Sequence, residues 1–97
     1  MFRRTKIVAT LGPATDDPAV LIGILKAGVD VARINFSHGK EVEHLGRIAR
    51  LREAAQSLGR VVAVLADLPG PKLRVRIPEK RTLLIGDVVR FRPIGRD

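Results

Sequence analysis

A chain of 97 residues makes one small domain and buries only about 60 to 65 % of its unfolded surface. With 45 % hydrophobic residues, three Phe and neither Trp nor Tyr, its core must come from Val, Ile, Leu and Ala, as in a helix-covered parallel sheet. The lack of Cys excludes disulfides and thiolate metal sites, no apolar run approaches the ~20 residues that span a bilayer, and the net charge of +8 divides as +3 over residues 1–71 and +5 over 72–97.

Residues 4–11 alternate weakly and are rich in β-branched side chains, which predicts a first strand ending at Gly12-Pro13. Asp17 then offers a helix cap, and Pro18 suits the first helical position. Val20, Leu21, Ile24 and Leu25 fall on one helical face, and Gly28 is the expected stop. A second strand is predicted over residues 29–36. From about Lys40 to Leu58 the spacing turns helical again, with Leu45, Ile48, Leu51, Ala55 and Leu58 as the buried stripe and His44 in solvent. Gly59 ends that helix. Residues 61–66 are continuously apolar, the mark of a strand covered on both faces, and Asp67 stands at its end. The right-handed crossover rule makes this β-α-β-α-β order a parallel sheet with both helices on one face.

After Leu68-Pro69-Gly70-Pro71 the pattern changes. Residues 73–77 alternate strictly, as does part of 83–91 with Gly86-Asp87 as a turn, which predicts antiparallel, half-exposed β structure and a boundary near residue 70. Lys72, Arg74, Arg76, Lys80, Arg81, Arg90, Arg92 and Arg96 make this the basic part. Such charge attracts phosphates, on a nucleic acid or on a small metabolite. Single-strand readers interleave aromatics with charge, and only Phe91 is present here, so nucleic acid is not the expected partner. No leader-like segment follows the charged start, and a soluble, cytoplasmic protein without membrane contact is expected.

The chemistry gathers where the second strand ends. Arg33, Asn35, Phe36, Ser37, His38 and Gly39 supply a guanidinium, an amide, a hydroxyl and an imidazole at the carboxyl end of a strand, where parallel α/β folds assemble ligand sites. From the residues alone, Arg33 is either a structural ion pair with Asp67 or Asp30 or an anion ligand. Asn35 and Ser37 are equally able to satisfy loop backbone groups, and His38 to begin a helix without chemistry. Gly12-Pro13 lacks the glycines and lysine of a phosphate loop and reads as a strand-end turn.

Three blocks carry a family resemblance: Lys6 to Ala14 (KIVATLGPA), Gly28 to Gly39 (GVDVARINFSHG) and Leu65 to Arg74 (LADLPGPKLR). In order and spacing they resemble the opening of the pyruvate kinases. The resemblance implies an α/β chain holding the first β-α-β-α-β units of a (β/α)8 TIM barrel, followed by the beginning of an inserted small β-barrel domain. Residues 1–70 would then be part of the catalytic barrel and 71–97 the start of the lid. A barrel of this type takes about 250 residues, so the remainder is expected beyond Asp97.

The function so implied is transfer of the phosphoryl group of phosphoenolpyruvate to ADP, giving pyruvate and ATP. Arg33 matches the family arginine that contacts the transferring group. Asn35, Ser37, Asp67 and the Leu68 carbonyl match the oxygens around a monovalent cation, usually potassium. Asn35, Phe36, Ser37, His38 and Arg74 match positions near the nucleotide. Magnesium is the implied cofactor, with its ligands, like the essential lysine, outside this sequence. The commonest third motif, Asp-Thr-Lys-Gly-Pro-Glu, differs from Asp67-Leu68-Pro69-Gly70-Pro71-Lys72, and a lysine at that place resembles the potassium-independent subgroup. The expectation is therefore a glycolytic phosphotransferase, homo-oligomeric and tetrameric when complete, potassium-independent, and inactive as these 97 residues alone. The alternative is a naturally short, non-catalytic relative that binds an anion or a partner chain. As an isolated piece it would leave strand edges unpaired and expose Val8, Ile34 and Val64 on the barrel side, favouring self-association.

Overall fold

The computed structural model describes residues 3–95. Arg96 of the expected basic tail lies outside them. The elements run β1 (Val8–Thr10), a 3-10 turn (Pro13–Thr15), α1 (Pro18–Ala27), β2 (Val31–Asn35), α2 (Glu41–Ser57) and β3 (Ala63–Asp67). The strands form one parallel sheet in the order β1-β2-β3. Its register pairs Thr10 with Arg33, Arg33 with Leu65, and Asn35 with Asp67.

Local chemistry sets the helix ends. The Asp17 carboxylate accepts the Ala19 N–H at 2.9 Å, Pro18 opens α1, and Gly28 closes it at φ 115°, a conformation that costs a residue with a Cβ. At the start of α2, Glu43 reaches back to accept the Lys40 N–H at 3.0 Å. β1 is shorter than the expected 4–11, its ladder pairing Val8 to Thr10 with Val31 to Arg33, although the Ile7 carbonyl and the Leu11 N–H still bond across to β2 and the residue before it.

The period of two divides the sheet into unlike faces. Ala32 and Ile34 are 0 % and 1 % exposed and pack with Leu25 and Leu51 beneath the helices, and α1 lies against α2. On the other face Val8 and Leu65 are exposed. This corrects one expectation: Ile34 and Val64 belong to the helix-side core, and only Val8 of the three stands on the open face. Parity decides it, because Ile34 must point opposite to Arg33.

A second correction concerns α2. Leu45 is 57 % exposed, while His44 is 4 % exposed and begins the buried stripe that continues through Leu51 and Ala55. His44 wins because its ring lies against Phe36, with centroids 4.7 Å apart.

The third correction concerns the tail. Among the described residues after Asp67 there is no helix or strand, and every one is exposed. The expected turn is present: Asp87 donates its N–H to the Leu84 carbonyl at 3.1 Å and accepts the Leu84 N–H at 2.9 Å, with Gly86 at φ 97°. The two alternating runs beside it do not pair. A lone hairpin is marginal in water, and these runs have no third strand or apolar layer to cover them. The extended tail gives a radius of gyration of 19.7 Å, against about 12.5 Å for a compact domain of this length.

Candidate active site at the carboxyl end of the sheet

Residues paired in parallel register share a face, so Thr10, Arg33, Asn35 and Asp67 all stand on the open face near the carboxyl ends of the strands. The Arg33 guanidinium bridges all three strands. Its Nε donates to Asp67 Oδ2 at 2.9 Å, its Nη2 donates to the same oxygen, and its Nη1 donates to Thr10 Oγ1 at 3.0 Å. A guanidinium carries five N–H groups. These contacts use three of them and leave one on Nη1 and one on Nη2 without a partner among the described residues. Arg33 and Asp67 keep 33 % and 44 % of their side-chain surface in solvent, so the pair is open to a ligand.

The loop after β2 is built from its own side chains. Asn35 Oδ1 accepts the Ser37 N–H at 3.0 Å, and the Phe36 N–H donates to the Asp67 carbonyl at 2.9 Å, tying loop to β3. Gly39 turns at φ 78°; a Cβ there would sit 2.8 Å from Glu43 Oε2 and 3.2 Å from His44 Cε1. Only glycine fits without displacing the cap of α2.

Of the expected site residues, the fold brings together Arg33, Asn35 and Asp67, with Ser37 held to Asn35 through its backbone. Phe36 turns inward onto His44, and His38 is exposed. Leu68 follows β3 and is 72 % exposed. Lys72 and Arg74 lie in the exposed tail, where no hydrogen bond or ion pair joins them to this cluster. The partner that Arg33 selects is Asp67 rather than Asp30. Sequence reading missed Thr10, whose signal is its place as the last residue of β1, and His44, both of whose ring nitrogens are buried without a hydrogen-bond partner among the described residues.

The oxygens of Asn35, Ser37, Asp67 and Leu68 are of the hard type that a monovalent cation takes. In this arrangement Asn35 Oδ1 and Asp67 Oδ2 are already engaged. Magnesium does not fit: Asp67 is the only carboxylate of the cluster, and the described residues hold no group of three or more His, Cys, Asp or Glu suited to a metal. No helix among the described residues is long and apolar enough to cross a membrane.

Parallel strands with helices packed on one face define an α/β unit, with a half-free arginine at the carboxyl ends of its strands. The comparisons with known proteins are more specific. Residues 2–91 match the family described as pyruvate kinase, barrel domain, and the chain belongs to that family. Curated relatives include pyruvate kinases from Mycobacterium intracellulare, 52 % identical over 75 residues, and Haemophilus influenzae, 55 % identical over 74. These alignments cover 77 % and 76 % of this chain and 16 % of each relative. A pyruvate kinase II from Salmonella typhimurium is 56 % identical over 74 residues, covering 76 % of this chain and 15 % of its own. A crystal structure of a pyruvate kinase from Cryptosporidium parvum superposes with a TM-score of 0.68 at 38 % identity, over 71 % of this chain and 14 % of that one. The chain thus spans about a sixth of the length of the curated relatives it matches.

Proposed function

We propose that this chain supplies the first strands of the catalytic barrel of a pyruvate kinase, which transfers the phosphoryl group of phosphoenolpyruvate to ADP. The observation that carries the reading is the pair of free N–H groups on Arg33 at the open end of the sheet. A transferring phosphoryl group spreads negative charge over its equatorial oxygens, and a guanidinium meets those oxygens with directed, charge-assisted hydrogen bonds. Arg33 is the residue that contacts that group. Asn35, Ser37, Asp67 and the Leu68 carbonyl surround the place of a monovalent cation, and Phe36, His38 and Arg74 belong to the nucleotide side. Residues 71–97 begin the lid, whose strands form only when their remaining partners are present. Catalysis requires the lysine and magnesium ligands of later barrel strands, so these 97 residues alone are inactive. The complete enzyme is a cytoplasmic homo-oligomer, a tetramer, with no nucleic-acid or membrane partner.

The same reading makes the enzyme potassium-independent. Lys72 brings an ammonium to the motif that follows Asp67, where the commonest family pattern carries a glutamate, and the Arg33 guanidinium already neutralises Asp67. The test is the turnover of phosphoenolpyruvate and ADP by the native-length gene product in buffers holding either potassium or tetramethylammonium. Equal rates are expected. A rate that collapses without potassium overturns the independence, and a protein inactive in both buffers overturns the enzymatic reading.

A further inference from the structure

We propose that Thr10 is a positioning residue for Arg33, holding its guanidinium in the plane in which it meets a phosphoryl oxygen. The inference rests on the reading of Arg33 given above. Nε and Nη2 both donate to a single atom, Asp67 Oδ2, so that contact is a pivot about one point. A second fixed point defines the plane, and Thr10 Oγ1 provides it at 3.0 Å from Nη1. The two anchors come from opposite neighbours of β2, with Thr10 directly paired to Arg33 across the β1 ladder. Thr10 is β-branched and stiff at χ1, so its hydroxyl is placed by the strand itself. With both anchors in place, the free N–H groups on Nη1 and Nη2 have fixed directions. Without Thr10, the head group swings about Asp67 and the population aimed at the ligand falls.

Thr10→Val keeps the shape and removes the acceptor, Thr10→Ser keeps the acceptor, and Arg33→Lys removes the fork. Steady-state kinetics of the native-length gene product are measured with phosphoenolpyruvate varied and ADP saturating, beside thermal midpoints. Thr10→Val is expected to lower kcat about tenfold, with KM for phosphoenolpyruvate moving less, since a hydrogen bond to a charged group is lost where charge develops. Thr10→Ser is expected to recover most of that loss at an unchanged midpoint. Nitrogen-15 spectra of the Arg33 side chain in the native-length gene product are expected to show faster guanidinium rotation in Thr10→Val than in the unsubstituted protein or Thr10→Ser. If Thr10→Val keeps normal kcat while Arg33→Lys is crippled, the positioning role falls and the reading of Arg33 stands. If Thr10→Ser fails to recover activity and both Thr10 variants unfold early, the hydroxyl matters to the fold alone and the proposal falls. If Arg33→Lys keeps full activity, both readings fall.

Discussion

The two ends of the sheet each set a carboxylate against arginine, Asp30 against two and Asp67 against one, and they use the contact differently. At the amino end Asp30 accepts the Ile7 N–H at 2.9 Å, with Arg3 and Arg60 each 3.7 Å away. Both arginines are committed to backbone: Arg3 donates to the Gly28 carbonyl at 2.6 Å, and Arg60 to the carbonyls of Leu25 and Val29. These contacts fasten the chain before β1, the end of α1 and the approach to β3. At the carboxyl end Arg33 touches only side chains, and none of its hydrogen bonds closes a backbone group. An arginine bound to carbonyls is a fastener. Arg33, held by the side chains of Asp67 and Thr10 on the open face, closes no backbone group and so has no such fastening task.

Substituting Arg33 is the strongest way to break that comparison. Lysine retains the charge but loses the fork. Arg33→Lys is expected to lower phosphoryl-transfer turnover about hundredfold, the size of losing one donor aimed at developing charge, while the thermal midpoint moves little. A variant that melts much earlier yet turns over normally per folded molecule would make Arg33 a fastener like Arg60.

The amino end should respond in the opposite sense. Asp30→Ala leaves the Ile7 N–H without its acceptor and brings Arg3 and Arg60 together without their counter-charge. A clearly lower thermal midpoint is expected, by less than core truncation produces, with turnover per folded molecule retained. Its pH dependence sharpens the point. The Ile7 N–H first, then Arg3, Lys6 and Arg60, hold the Asp30 carboxyl below its usual 3.8 against the opposing effect of burial. An acid depressed in the folded state contributes stability above its unfolded pKa and loses it as pH falls through the folded value. Acid unfolding of the unsubstituted chain should therefore include a component below about pH 3.8 that Asp30→Ala lacks. Indistinguishable acid transitions would remove Asp30 from the account.

What the sequence made legible was what short-range chemistry decides. Asp17-Pro18, Gly28 and Gly59 punctuate the helices without reference to anything distant, and the β-α-β-α-β order follows. Arg33 stood out because a guanidinium inside an apolar strand needs a reason. Thr10 was not legible because its role depends on the register of β1 against β2, which no local pattern states. His44 was hidden by a phase ambiguity: it and Leu45 are adjacent on the helix, hydropathy favours leucine, and only the position of Phe36 turns the histidine inward. The tail shows the converse limit. Alternation marks residues fit for a strand, but a strand exists only with a partner, and residues 73–77 have none.

The smallest expected effect lies at a third charged cluster, away from either end. Asp16 follows the 3-10 turn and receives Arg47 in a bidentate contact at 2.9 and 3.1 Å and Arg50 at 3.0 Å, joining the loop after β1 to α2 across 31 and 34 residues. The two arginines are unequal. Arg47 is 12 % exposed, whereas Arg50 is 40 % exposed and makes one bond. The Arg47 hydrogen bond is the main reason the Asp16 carboxyl lies below its usual 3.8, opposed by burial, with Arg50 contributing less. Exposed pairs contribute about 0 to 1 kcal/mol, so Arg50→Ala should fall within that range, near its lower end. Arg47→Ala should cost more, because it removes the planar two-bond contact and the packing of a mostly covered side chain. The sign of the pH effect separates them: stability from Asp16 is present above its ordinary value and lost on acidification, and Arg47→Ala should flatten that loss more than Arg50→Ala. Denaturant unfolding of both variants at neutral and acidic pH measures the difference. Equal effects at both pH values would mean that Asp16 is held by the loop's own backbone rather than by its bidentate partner.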